Sequence, residues 1–263
     1  MRVANRLDLV TLRGAVLSLV TAAWLLPLPC AAGPLKVLSA GACGRFVGAM
    51  AAEFEKRRGQ RVLIEEDTVG RLVQRINQGE RFDVALLTPA GIEKTPGRFA
   101  AGSRVELARV GLGVAVRQNA PRPDIGSVEA FKRTLRQARS IAYVDPAAGG
   151  TSGIYFSRLL DRLGVADSVR PKALLVPGGA VAQRVATGEA EIGIQMTSEL
   201  VGVKGVALVG PLPAPIQIYT VYAGVIGAST RDPAGARALL DLLASPEAAG
   251  PLKGAGLERP EAR

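Results

Sequence analysis

The chain of 263 residues contains no histidine, two cysteines and few aromatic residues, which make up 4% of it. Without histidine there is no Ser-His or Cys-His nucleophile pair, no imidazole acid or base, and no histidine-ligated metal site. One of the cysteines, Cys30, lies in a segment that reads as a leader, so a processed chain keeps Cys43 alone and forms no intramolecular disulfide. Sparse aromatics leave few surfaces for stacking bases. Basic residues are also dispersed, with Lys56-Arg57-Arg58 and Lys132-Arg133 the only close clusters. The net charge of +10 therefore reads as a diffuse field that attracts anions, and no nucleic-acid partner is expected. What remains, 48% hydrophobic and 21% charged, is the composition of an ordinary globular protein with a sizeable core.

Residues 1–32 read as a secretory signal peptide. Arg2, Arg6 and Arg13 precede an apolar run from Ala15 to Leu28, and Cys30-Ala31-Ala32 supplies small residues at a cleavage position. Pro27 and Pro29 interrupt the run, which is too short for a stable membrane span. A lipid anchor on Cys30 stays open, with simple cleavage preferred. Removal of this segment takes away three Arg and one Asp and leaves a net charge of +8 on a periplasmic protein.

From Leu35 onward, short β-branched runs alternate with amphipathic stretches, the pattern of an α/β fold. Phe46, Met50 and Phe54 recur every four residues and predict one buried helix face, which Gly59 ends. Arg104 to Val116 and Ile216 to Ile226 are long extended runs. We read them as two segments crossing between two α/β lobes with mixed, mainly parallel sheets, residues 33–111 with 219–263 and residues 112–218.

Four glycine-bearing loops each follow a predicted strand and open a predicted helix: Ser39-Ala40-Gly41-Ala42-Cys43-Gly44, Thr68-Val69-Gly70, Gly149-Gly150-Thr151-Ser152-Gly153 and Pro177-Gly178-Gly179-Ala180. Ligands in α/β sheets sit beyond the carboxyl ends of the strands, and free N–H groups at helix starts attract anions. Any one loop is ordinary turn chemistry. Four together, two in each expected lobe, predict an anion-binding cleft.

The order Lys36-Val37-Leu38-Ser39-Ala40-Gly41, Phe82-Asp83-Val84, Asp145-Pro146, Ser152-Gly153-Ile154-Tyr155, Gly188-Glu189-Ala190-Glu191-Ile192-Gly193 and Ser245-Pro246-Glu247-Ala248-Ala249 resembles the periplasmic molybdate-binding proteins, solute-binding components of ABC importers. The resemblance spans nearly the whole chain after residue 32. It implies a two-lobed periplasmic-binding-protein fold (type II) that closes on a tetrahedral oxyanion and passes it to an inner-membrane permease. A monomer without enzymatic activity, cofactor or bound metal cation is expected. Site residues implied or selected from the loops are Ser39, Ala40, Gly41, Cys43, Arg45, Thr68, Val69, Gly70, Thr151, Ser152, Gly179, Ala180, Val181 and Met196. Ser152 and the amide of Ala180 or Val181 match the family's oxyanion contacts. The first serine is replaced within Cys43 to Arg45, the second falls near Thr68 or Val69, and Met196 stands where the family has a tyrosine. A thioether cannot donate that hydrogen bond, so a small organic carboxylate is an alternative ligand. An exported hydrolase using Cys43 or Ser152 is the reading of another class. Glu199 is expected at the surface, because it would repel an anion.

Overall fold

The alternation of apolar runs read from the sequence becomes nine strands and ten helices in a computed structural model that describes residues 33–261; the signal peptide and Cys30 lie outside the described residues. The first elements are β1 (Leu35–Ala40), α1 (Gly44–Arg58), β2 (Val62–Asp67), α2 (Val69–Asn77), β3 (Val84–Leu87), α3 (Pro89–Glu93) and β4 (Val105–Arg117). There follow α4 (Val128–Gln137), β5 (Ile141–Val144), α5 (Thr151–Arg162), α6 (Ala166–Val169), β6 (Ala173–Val176), α7 (Val181–Ala186) and β7 (Ile192–Met196). The chain ends with α8 (Thr197–Leu200), β8 (Val206–Pro211), β9 (Tyr219–Ile226), α9 (Pro233–Ala244) and α10 (Ala249–Gly254). No helix among the described residues is long and apolar enough to cross a membrane.

Helix boundaries follow local chemistry. Phe46, Met50 and Phe54 are buried on one face of α1, which stops at Gly59 in the left-handed region (φ 65°) that glycine adopts without strain. Thr68 and Ser127 accept from backbone N–H groups in the first turns of α2 and α4. Asp145 likewise accepts from the Ala147 amide, and Asp83 from the Lys36 amide, so both carboxylates serve the backbone.

The strands run β2-β1-β3-β9-β4-β7-β5-β6, with β8 also paired to β4. The sheet is mixed, as expected, but not mainly parallel. Parallel pairing joins β1 with β2 and β3, and β5 with β6 and β7, but every pairing of β4 and β9 is antiparallel. β9 lies between β3 and the first half of β4, antiparallel to both.

The thirteen-residue β4 changes partners midway. Val105 to Gly111 pairs with β9, whereas Leu112 to Val116 pairs with β7. At this change the Gln217 side chain acts as a short piece of strand. Its Nε2 donates to the Leu112 carbonyl (2.8 Å) and its Oε1 accepts from the Leu112 amide (2.9 Å). The sequence reading passed over β8, which pairs with β4 from Gly113 to Arg117.

Candidate functional site

Beyond the carboxyl ends of β1, β2, β5 and β7 lies a cavity of about 590 Å³. Residues of all four glycine loops line it. Ala40, Gly41 and Arg45 come from the first, Thr68 and Val69 from the second, Thr151 and Ser152 from the third, Gly179 and Ala180 from the fourth, and Met196 from the end of β7. The start of α5 and the 3-10 turn Gly41–Cys43 that leads into α1 meet it without a side-chain cap, leaving first-turn amides available.

Four of the selected residues lie elsewhere. Ser39 is fully buried, and its hydroxyl donates to the Ala40 carbonyl. Val181 is fully buried in an apolar cluster with Val144, Val176 and Val185. Gly70 meets Gly149, and its amide donates to the Gly149 carbonyl (3.2 Å). Cys43 is fully buried, and burial, with the charges of Glu199 and Glu66, pushes its thiol far above the usual range. A helix start would lower that value, but desolvation outweighs the dipole here. This thiol is no nucleophile at neutral pH. Tyr155 is a packing residue whose hydroxyl donates to the Ile216 carbonyl (2.8 Å).

Glu199 is corrected most sharply. It lines the cavity in the first turn of α8, with its carboxylate between two glycines: a Cβ on Gly41 or on Gly179 would come within 3.1 Å of Glu199 Oε1. Glu66, from β2, also lines the cavity and lies against Gly44 at the start of α1, in the space a Cβ there would need. Burial raises the Glu66 carboxyl. Glu199 is pushed up to about 8, first by burial and then by the charge of Glu66, with the Gln195 amide opposing. Nearby, the buried Gln195 Oε1 and Ser198 Oγ find no hydrogen-bond partner among the described residues.

Arg45 points across the cavity and donates to the Val201 carbonyl, so its guanidinium is engaged by protein. Two bonds join the second and third loops: Thr68 Oγ1 donates to the Ala148 carbonyl (2.6 Å), beside the bond from Gly70 to Gly149. These two glycines touch so closely that a Cβ on Gly70 would come within 2.7 Å of the Gly149 Cα. Tyr222, from β9, is the one aromatic residue among the described residues lining the cavity. Sequence reasoning missed it, along with Glu66, because neither lies in a glycine loop.

A mixed sheet with a ligand-sized cavity ringed by helix starts defines a solute-binding protein. The chain belongs to the bacterial extracellular solute-binding proteins, whose family model matches residues 35–258. Among curated relatives, aconitate isomerase of a Pseudomonas species is 38% identical over 85% of this chain and 87% of its own. The molybdate-binding protein of Azotobacter vinelandii is 32% identical over 87% of this chain and 92% of its own. The solved periplasmic molybdate-binding protein of Azotobacter vinelandii shares the fold, with a TM-score of 0.74 at 22% identity over 86% of this chain and 100% of that one.

Proposed function

We propose that this protein is an exported receptor-like isomerase, which takes a small unsaturated polycarboxylate such as aconitate into the cavity and moves its double bond by proton transfer. The observation that carries this reading is the pair of carboxyl groups with raised pKa values, Glu66 and Glu199, lining one cavity. A third lining carboxylate, Asp67, accepts from the Thr68 amide, and Arg45, the only lining guanidinium among the described residues, already has a protein partner. A fully ionised tetrahedral oxyanion gains nothing from two acids. A carbon acid gains a base and a proton donor. The relative named aconitate isomerase supports the same substrate class.

Aconitate has a methylene group flanked by a carboxylate and an alkene carbon. The ionised carboxyl of the pair removes a methylene proton. The C–H electron pair forms a new double bond, the old π pair moves onto the neighbouring carboxylate, and the neutral carboxyl returns a proton at the former alkene carbon. The double bond has then moved by one carbon, and the two glutamates have exchanged protonation states. Two interacting acids kept apart in protonation are suited to this division of labour. First-turn amides of α5 and of the 3-10 turn Gly41–Cys43 complement the ligand's carboxylates.

We take residues 33–111 with 219–263 and residues 112–218 as two lobes that close over the ligand. The change of partners along β4 supports this division. Residues 1–32 would export the chain to the periplasm, where it acts as a monomer. The second reading, delivery of a small anion to an ABC permease, is supported by the family and by the molybdate-binding relative. One experiment separates them. Purified protein is incubated with cis- or trans-aconitate and the isomers are resolved by chromatography, while molybdate, tungstate, sulfate and aconitate are compared by calorimetry. Isomer interconversion supports the first reading. Tight molybdate binding without turnover replaces it with the second.

A further inference from the structure

We propose that Tyr222 is a further catalytic residue of this site, its phenol hydroxyl donating a hydrogen bond to the ligand carboxylate on which negative charge collects as the methylene proton leaves. The proposal rests on the isomerase reading and adds a residue that sits in none of the helix-opening loops.

The argument starts from placement. Tyr222 lies on β9, opposite Ala108 of β4, and only 3% of it is exposed although it lines the cavity. A small partner on β4 leaves the ring room to turn toward the cavity. A buried phenol seeks a hydrogen-bond partner, and here Thr151, the first residue of α5, lies beside its hydroxyl. A phenol both donates and accepts, so from this position the hydroxyl can serve a ligand. Thr151 itself lines the cavity, so the pair is set beside the uncapped amides of α5.

Chemistry points the same way. Burial, and then the charges of Cys43 and Glu199, hold Tyr222 well above the ordinary tyrosine range, so it remains a neutral donor wherever Glu199 titrates. Glu199 acts on both Tyr222 and Cys43, which places the acid, the thiol and the phenol in one neighbourhood. Cys43 is sealed in the core, and Met196 brings no donor, which leaves Tyr222 as the neutral donor from the sheet. A donor aimed at developing charge is worth most in such an enclosed setting. In the balanced step, the proton leaves carbon for a glutamate and the electron pair is delocalised onto the carboxylate oxygens. The Tyr222 proton stays on its own oxygen throughout.

The test is steady-state isomerisation of cis-aconitate by the full-length protein and by its Tyr222→Phe, Thr151→Val and Thr151→Ser variants, with melting temperatures as a control. We expect Tyr222→Phe to lower kcat by about ten- to a hundred-fold with KM changed less than about threefold, as when one donor to a developing oxyanion is removed. Thr151→Val should lower kcat less, and Thr151→Ser should restore it. An unchanged kcat in Tyr222→Phe overturns the proposal. So does a loss confined to KM, which would make Tyr222 a binding contact. Should the wild type bind aconitate without turning it over, the isomerase reading fails and the catalytic role of Tyr222 falls with it. Calorimetry on Tyr222→Phe then shows whether a binding contact survives. Wild type that neither binds nor converts aconitate overturns both.

Discussion

A carboxyl group held near neutral pH by its surroundings has two consequences, one for chemistry and one for stability, and Glu199 separates them. Glu199→Gln removes the titrating proton but keeps the shape between Gly41 and Gly179, so isomerisation should fall by at least about a hundred-fold while the fold persists. Stability moves the other way. The folded value of about 8 lies above the ordinary 4.5, so the folded state holds a proton that the unfolded chain has released. Stabilisation by Glu199 is complete below about 4.5 and is lost as pH rises toward about 8. The melting temperature of the ligand-free protein should therefore fall between pH 5 and 8. The fall should be smaller in Glu199→Gln, which at pH 8 should melt several degrees higher than wild type, since about 1 kcal/mol moves a chain of this size by about 2–4 °C. Differential scanning calorimetry at three pH values checks the sign. Glu199 was misread because a sequence shows its charge but not its neighbours. Its one legible signal is that it follows Ser198 directly beyond the end of β7, the same kind of position as the glycine loops.

The strand-to-helix turns were the most legible elements. Their glycines and hydroxyls announced helix starts, and residues from all four line one cavity. Pattern could not assign each residue its direction. Ser39 and Val181 share loops with lining residues yet face the core, because a strand alternates faces and a helix rotates by 100° per residue. β8 escaped notice because Val206 to Pro211 is a short run bounded by Gly205 and Pro211, with only β4 to pair with. A prediction belongs to the touching turns. Gly70→Ala adds a Cβ within 2.7 Å of the Gly149 Cα, and backbone cannot step aside as a side chain can. Aconitate affinity should fall about tenfold or more, and the melting temperature should fall with it, because the structure makes the same contact. Gly70 is the cleaner site for this test, since Gly149 has a left-handed φ of 73° and any side chain there adds strain of its own.

For the molecule as a whole, two extended segments were legible as long apolar runs without helical period, and they became β4 and β9. Their antiparallel pairing was not legible, because strand direction is fixed by contacts far apart in sequence. The joint between the two parts of the sheet is a single strand held at Leu112 by Gln217. Gln217→Ala leaves the Leu112 amide without its side-chain partner and should cost about 1–3 kcal/mol. Because β4 belongs to both parts, unfolding should remain one transition, measured by coincident circular dichroism and fluorescence curves. Two separated transitions would show that the parts are held together more weakly than the shared strand suggests.

The contact between Gly70 and Gly149 is made by main chain alone. A seam of that kind has no chemical preference, so it cannot recognise a guest by functional group. It can recognise length. A molecule that fits wholly inside lets the two turns meet, whereas one atom too many props them apart and leaves the reacting carbons open to water. Homologous acids extended by a single methylene should thus be bound loosely and left unconverted, even where every charged end finds its proper contact.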